Sequence, residues 1–368
     1  MVIAIAVPAI GDEEIAAVNA VLASGMLAQG PKVAELEERF AAYCGTTYAV
    51  AVNSGTAAIH AALHAAGVGP GDEVITTPFS FIATINPILM CGARPVLVDI
   101  DPRTYTLDPT AITQAITKKT KAIMPVHLYG QACDWQPIAD IASQHSLKLI
   151  EDACQAVGAE YDGIKTGALG DLGCFSLYAT KNIMSAEGGI VTTNDAGYAD
   201  TIKRFRQHGM VGPYEYEGLG YNYRMTDILA AIGNEQLKKA DNFNTARQAN
   251  AAKLSAGLQA IAGLTLPYQA PGRTHVFHQF TIKIDKAEFG MGRDELAQRL
   301  RDQGVGVGVF YPKPLHAYKH IQALGYKLGD FPEAEAAAAS VLSLPVHPGL
   351  SHDDVMAVIA AVKGARSV

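Results

Sequence analysis

A chain of 368 residues, 49% of them apolar, is long enough for two lobes and for a large core without disulfide staples. Lys and Arg number 29 against 36 Asp and Glu, a formal charge of −7, and no basic block or RNA-type aromatic motif occurs, which argues against nucleic-acid binding. The five cysteines (Cys44, Cys91, Cys133, Cys154, Cys174) form no C-x-x-C pair and suit reduced thiols in a cytoplasm, no apolar run reaches the roughly 18 residues of a membrane span, and residues 1–8 lack the basic and long apolar regions of a signal peptide.

Residues 12–23 predict an amphipathic helix with Ile15, Val18 and Leu22 on one face. Leu27-Ala28-Gln29-Gly30-Pro31 breaks it, and residues 32–43 predict a second helix with Val33, Leu36 and Phe40 together. Both read as scaffold. Tyr48–Val52 reads as a buried strand, followed by Asn53-Ser54-Gly55-Thr56 and a helix over 57–66. A strand, a small polar turn and a helix start make a ready anion site. Free backbone N–H groups and the positive end of the helix dipole face the ligand, Gly55 permits close approach, and Thr56 adds a hydroxyl. Ser and Thr are also ordinary N-caps, so the string alone leaves both readings open.

Residues 73–77 are the next strand, running into Pro78-Phe79-Ser80-Phe81-Ile82-Ala83-Thr84, where an aromatic ring either stacks on a ligand or fills the core. Short apolar runs at 95–99 and 121–126 follow, then a helix over 137–145 and a run ending at Glu151-Asp152. Runs alternating with helices predict a mostly parallel sheet covered on both sides. Ligands in such sheets sit beyond the strands' C-terminal ends, and residues 53–56, Phe81, Asp152 and Lys181 each fall just after a strand. Gln155, about one helical turn past Asp152, faces either that pocket or solvent. The pairs His60/His64 and His316/His320 have i, i+4 spacing but no companion Glu or third ligand, so no metal site is expected.

The densest stretch runs from Glu151 to Asp195. Asp152 ends one apolar run, Lys181 follows the run 174–178, and a third run at 189–193 comes at once. An acid and a lysine so placed are what pyridoxal phosphate chemistry needs: the lysine for a Schiff base, the acid for the pyridinium nitrogen. The stretch resembles the DegT/StrS group of nucleotide-sugar aminotransferases, whose signature reads roughly EDA-x-Q, FS-x-x-x-x-K-N, GG-x-V-x-TND. Here stand Glu151-Asp152-Ala153, Gln155, Phe175-Ser176, Lys181-Asn182, Gly188-Gly189 and Thr193-Asn194-Asp195. The likeness extends over nearly the whole chain. It implies pyridoxal phosphate held on Lys181 as an internal aldimine, with Asp152 on the ring nitrogen. It also implies Gly55, Thr56 and Ser176 at the phosphate, Phe81 stacked on the ring and Gln155 at the 3-hydroxyl.

Gly218 to Met225 resembles the family's G-x-N-x-R segment, which implies a homodimer with shared active sites and Asn222 reaching the partner's phosphate. Residues 228–262 predict one long helical region. A boundary near Asp241 then separates a large cofactor-binding domain, 1–240, from a small α+β domain, 241–368. In the latter, 276–282 and 305–311 read as strands, and 293–303 and 353–362 as helices. The string from Tyr311 to His316 resembles one near the substrate entrance in part of the family, making Tyr311, Lys313 and His316 substrate candidates; a solvated loop is an equal reading for Lys313.

By resemblance, the chain moves an amino group, from glutamate, onto a keto-sugar carried on a nucleotide. Lys181 argues against the related sugar dehydratase, which has His there. An aminotransferase of the same fold acting on a cyclitol or other ketone stays open, as does a regulatory protein that keeps the fold without turnover. Residues 181–189 look like members acting at carbon 4 of the sugar, and the 311–316 loop like members acting at carbon 3, so the position stays open.

Overall fold

The computed structural model describes residues 2–366. Seven strands build the principal sheet: β1 (Tyr48–Val52), β2 (Glu73–Thr76), β3 (Arg94–Leu97), β4 (Thr120–Ile123), β5 (Lys148–Asp152), β6 (Leu172–Ser176) and β7 (Gly189–Thr193). They lie in the order β1-β7-β6-β5-β4-β2-β3. β7 runs antiparallel to both neighbours, and the remaining pairs are parallel.

Side chains alternate across a strand, and each face of this sheet has its own apolar cover. Val50, Val52, Cys174 and Val191 pack on one side against Ala58, Ile59, Ala62 and Leu63 of the helix Gly55–Ala65. Ala49, Ala51, Phe175 and Ile190 face the other side, against Val33, Leu36 and Phe40 of the helix Pro31–Cys44. Cover on both faces explains why these strands read as unbroken apolar runs. The helix Asp12–Ser24 departs from expectation. Glu14 and Val21 are its buried residues, while Ile15 and Leu22 are 53% and 52% exposed. The cause is polar: Glu14 is drawn inward by Gln236 Nε2 at 2.8 Å, Lys239 Nζ at 2.7 Å and the Gly11 amide at 2.8 Å.

A second, antiparallel sheet is formed by β8 (Leu264–Thr265), β9 (Phe280–Ile284) and β10 (Val341–Leu344). Its core joins Phe280, Ile282, Leu342 and Leu344 to Leu254, Leu300 and Val358 of three covering helices. Ile3 enters the same core, and its backbone pairs with Gly304 and Gly306 at 2.8 and 2.7 Å.

Three expectations are corrected here. The helical region 228–262 is two helices, Asp227–Lys238 and Ala240–Leu258, broken at Lys239 (φ −98°, ψ −4°). Residues 305–311 form no strand, only single bridges of Val305 to Ile3 and Gly308 to Ser343. Gly306 presses so close to the N-terminal segment that a Cβ there would meet the Ile3 carbonyl at 2.9 Å. The strand expected over 276–282 begins only at Phe280. The residues before it bond across to the first layer instead, Val276 N to Gly130 O at 2.8 Å and Gln279 N to Tyr129 O at 3.2 Å. That detour carries His278 and Gln279 to the boundary between the layers, where the cavity described next lies.

Candidate active site

A cavity of ≈ 500 Å³ opens beyond the C-terminal ends of β1, β2, β5 and β6 and is closed from the other layer by His278, Gln279, Phe310 and Tyr311. Gly55, Thr56, Phe81, Asp152, Gln155, Ser176, Lys181 and Tyr311 all line it.

The turn after β1 supplies donors. Ser54 caps the helix by accepting the Ala57 amide at 3.1 Å, and its carbonyl takes the Ala58 amide. The Gly55 and Thr56 N–H groups and the Thr56 hydroxyl keep no partner within the chain among the described residues. Ser176 Oγ accepts the Tyr178 amide at 3.3 Å, so its own O–H is free to donate. A Cβ on residue 55 would meet Ser176 Cβ at 2.8 Å and Cys154 Sγ at 3.2 Å, so glycine lets the two walls close up. Donors without acceptors at a helix N-terminus suit a phosphate.

Asp152, at the end of β5, is 4% exposed. Oδ2 accepts Thr84 Oγ1 at 2.7 Å and Oδ1 accepts the Cys154 amide at 3.2 Å. Since Thr84 donates to the carboxylate, the Ser80 hydroxyl at 2.8 Å donates to Thr84. Two of the carboxylate's lone-pair sites are thereby used, and the rest remain available to a donor in the cavity. Behind it, Glu151 is fully buried and accepts the amides of Gly167 (2.7 Å), Leu169 (2.9 Å) and Gly170 (2.8 Å), with His127 Nε2 at 3.0 Å. This carboxylate fastens the glycine-rich turn between β5 and β6.

Lys181 follows β6 on a turn closed by its own amide to Tyr178 O at 2.9 Å. Burial pushes its pKa below the usual lysine value, with Cys154 and Asp152 pulling the other way. Gln155 is held at both ends: Oε1 accepts the Tyr129 amide at 3.0 Å, and Nε2 donates to the Tyr311 hydroxyl at 2.7 Å. Burial, then the Asp152 charge, pushes the Tyr311 phenol up, and Cys154 is kept a neutral thiol by the same two causes. Phe81 stands at the rim, 57% exposed, with its ring centroid 6.4 Å from that of Tyr311.

Three expected residues lie elsewhere. Asn222 is exposed; its carbonyl accepts Asn53 Nδ2 at 3.3 Å, and its side chain has no partner among the described residues. Lys313 is exposed above the Tyr318 ring, 5.0 Å from its centroid. His316 is fully buried, with Nε2 bound to Glu335 at 2.9 Å and its ring against Phe331, away from the cavity. Conversely, Thr84 and His278 reach the cavity without having been singled out. Thr84 sits in the same string as Phe81, but its bond to Asp152 joins positions 68 apart and leaves no local trace.

Fold and site together define an α/β enzyme of the aminotransferase type. Residues 8–363 match the DegT/DnrJ/EryC1/StrS aminotransferase family, to which the chain belongs. It is a sugar aminotransferase of that group. It is 42% identical over 338 residues to the GDP-perosamine synthase of Caulobacter vibrioides, covering 90% of each chain. It is 43% identical over 345 residues to the pleiotropic regulatory protein of Geobacillus stearothermophilus, covering 93% of this chain and 91% of that one. The crystal structure of DesV from S. venezuelae in complex with a ketimine intermediate superposes with a TM-score of 0.93 at 37% identity, covering 97% of this chain and 95% of that one.

Proposed function

We propose that this chain uses pyridoxal phosphate bound at Lys181 to move an amino group from glutamate to a keto-sugar carried on a nucleotide. The observation that carries the reading is the convergence on one cavity of a free lysine, a buried carboxylate and a set of unpaired donors at a helix N-terminus. The residues fit the cofactor. Gly55, Thr56 and Ser176 offer donors to its phosphate, and Asp152 offers a charged acceptor to its ring nitrogen. Phe81 offers a face for its ring, Gln155 and Tyr311 line the side where its hydroxyl would lie, and Lys181 offers an amine for attachment.

When bound, pyridoxal phosphate supplies an electron sink for a carbon that is losing a proton. The chain's own groups do the rest. Thr84 and the Cys154 amide hold the Asp152 carboxylate in one orientation, so its charge is in place before reaction. Lys181 Nζ would carry a proton from the donor's α-carbon to the bound cofactor in the first half-reaction, and from the cofactor to the acceptor's carbon in the second. A lysine whose pKa is lowered by burial has more of the neutral amine that this needs near pH 7. Tyr311 and Gln279 line the cavity on the side of the second sheet.

The proposal includes a two-fold homodimer in which Asn222 completes the partner's phosphate site; the exposed, unpartnered Asn222 side chain supports it. The relative named a pleiotropic regulatory protein favours a second reading, a regulatory protein that keeps the fold. One assay separates the two. Purified protein is supplied with glutamate and nucleotide-linked 3-keto and 4-keto sugars in turn, and 2-oxoglutarate and amino-sugar are quantified. Stoichiometric formation of both from one sugar class supports transfer and fixes the carbon. No product from any ketone, with cofactor bound, favours the regulatory reading.

A further inference from the structure

Arg247 is a buried charge without a counter-charge. It stands on the helix Ala240–Leu258 and is 5% exposed. Nη1 spends its protons on backbone, donating to the Phe277 carbonyl at 3.2 Å and the His278 carbonyl at 3.5 Å. Nε is sealed from solvent and has no partner. Nη2 has no partner among the described residues either, and it is not one of the sealed atoms, so it opens onto free space. No carboxylate of the described residues forms an ion pair with this guanidinium. A charge taken out of water with no partner is strongly destabilising, and an anion placed beside it removes most of that cost.

The surroundings are basic. Arg247 lines a second, much smaller cavity that meets the first at Thr180 and Lys181. Its other walls include the N-terminal segment 6–9, Phe243 and Pro348, and no Asp or Glu lines it. The Thr180 and Asn182 amides, in the turn that forms one wall, keep no partner among the described residues. Gln236, also on the wall, spends its two N–H on Ala9 O at 2.7 Å and Glu14 Oε1 at 2.8 Å, and Glu14 is already paired with Lys239 at 2.7 Å. Burial lowers Arg247 to about 10, so it keeps its charge near neutral pH. Burial, then Lys181, then Arg247 hold His278 well below the usual imidazole value, and burial, then Arg247, lower His347. The cavity has room for a monatomic ion or a water and not for a phosphate or an amino acid.

We propose that this small cavity is a binding site for one monovalent, monatomic anion, chloride in the cell, held by Arg247 Nη2 against the turn that carries Lys181. The ion supplies the counter-charge that the chain itself omits, and it ties the helix Ala240–Leu258 to residues 179–182. The site is separate from the proposed phosphate donors Gly55, Thr56 and Ser176, none of which lines it. It stands whether or not Lys181 carries pyridoxal phosphate.

The test uses bromide as a stand-in that X-rays can identify. Crystals of the full chain are grown in sodium bromide and measured at the bromine absorption edge. The expected result is an anomalous peak within hydrogen-bonding reach of Arg247 Nη2. Peaks on the outer surface only, or a water in this cavity with no anomalous signal, overturn the proposal. Thermal melts of wild-type protein give a second, independent reading. At constant ionic strength, replacing gluconate by chloride should raise Tm by about 2 °C along a curve that saturates, and bromide should do the same. Gluconate is too large for the cavity and serves as the reference. In Arg247→Gln the saturable rise should disappear. A flat or falling Tm in wild-type protein overturns the proposal even where the variant does not fold. An equal rise in wild type and variant places the anion elsewhere and overturns it as well.

Discussion

Asp152 is gripped from two sides by Thr84 and the Cys154 amide, which turns a flexible carboxylate into a fixed charge. Asp152→Asn keeps the shape and removes the charge. The expected result is a fall of roughly a hundredfold or more in kcat with little change in KM, because the charge matters most as the carbanion develops. Steady-state kinetics with both substrates checks this, and an unchanged kcat refutes the assignment. Two buried histidines make a pH prediction. Burial, with His64 nearby, lowers His60 to about 4, and burial lowers His275 to about 3. Unfolded, both bind a proton below about 6.5. The unfolded chain thus binds more protons between pH 6.5 and 4, and stability falls as pH falls through that window, by up to about 1.4 kcal/mol per pH unit for each group. Thermal melts at pH 7 and 5 should show a lower Tm at pH 5, with a weaker drop in His275→Gln. At this scale the residues just past strand ends were legible, because a parallel sheet gathers its strand ends. Thr84 and His278 were not, since each earns its place through a partner far along the chain or through a detour of the backbone.

At the scale of elements, polar ties decide what apolar pattern leaves open. Asp227 is 1% exposed and starts one helix while capping another. Its carboxylate accepts the amides of Gly30 at 2.8 Å, Val33 at 3.0 Å and Lys32 at 3.1 Å at the head of the helix Pro31–Cys44. Asp227→Ala strands three donors, that of Val33 buried and those of Gly30 and Lys32 half-buried, and should cost about 2–4 kcal/mol in urea unfolding, more than the roughly 1 kcal/mol of a single exposed cap. A loss below 1 kcal/mol would show that water replaces the carboxylate. The long apolar runs of β1, β5 and β7 were legible because both of their faces are covered. Residues 305–311 were not, because alternating glycines at 306 and 308 mimic strand spacing while fitting the chain against the N-terminal segment and Ser343. The outward turn of Ile15 and Leu22 also escaped periodicity, since Glu14 takes the inward place through three bonds.

At the scale of the molecule, one chain leaves apolar surface uncovered. Val7, Ile10, Ile15, Leu22, Met26 and Leu27 near the start, and Val211, Tyr214, Tyr216 and Leu219 around residues 210–219, are all at least 40% exposed. A two-fold homodimer is the commonest way to cover such surface. The proposed shared site can be read by complementation: Asn222→Asp sets a charge against the partner's phosphate, Lys181→Ala removes the amine, and each variant alone should be inactive. Unfolded and refolded together, about half the dimers are hybrids with one intact site, so about a quarter of wild-type activity should return. No recovery means that Asn222 serves its own chain. The mostly parallel sheet and a site beyond its strand ends were legible in alternating runs and helices; the strand order and the wall contributed by His278 and Gln279 were not, because they depend on long-range pairing and on how the second sheet docks. The central claim is that Lys181 is the point of covalent attachment. Protein saturated with pyridoxal phosphate is reduced with borohydride, digested and mapped by mass spectrometry. The account predicts one pyridoxyl-lysine, in the peptide carrying Lys181; a label on Lys148, Lys165 or any other lysine, with Lys181 unmodified, would contradict it.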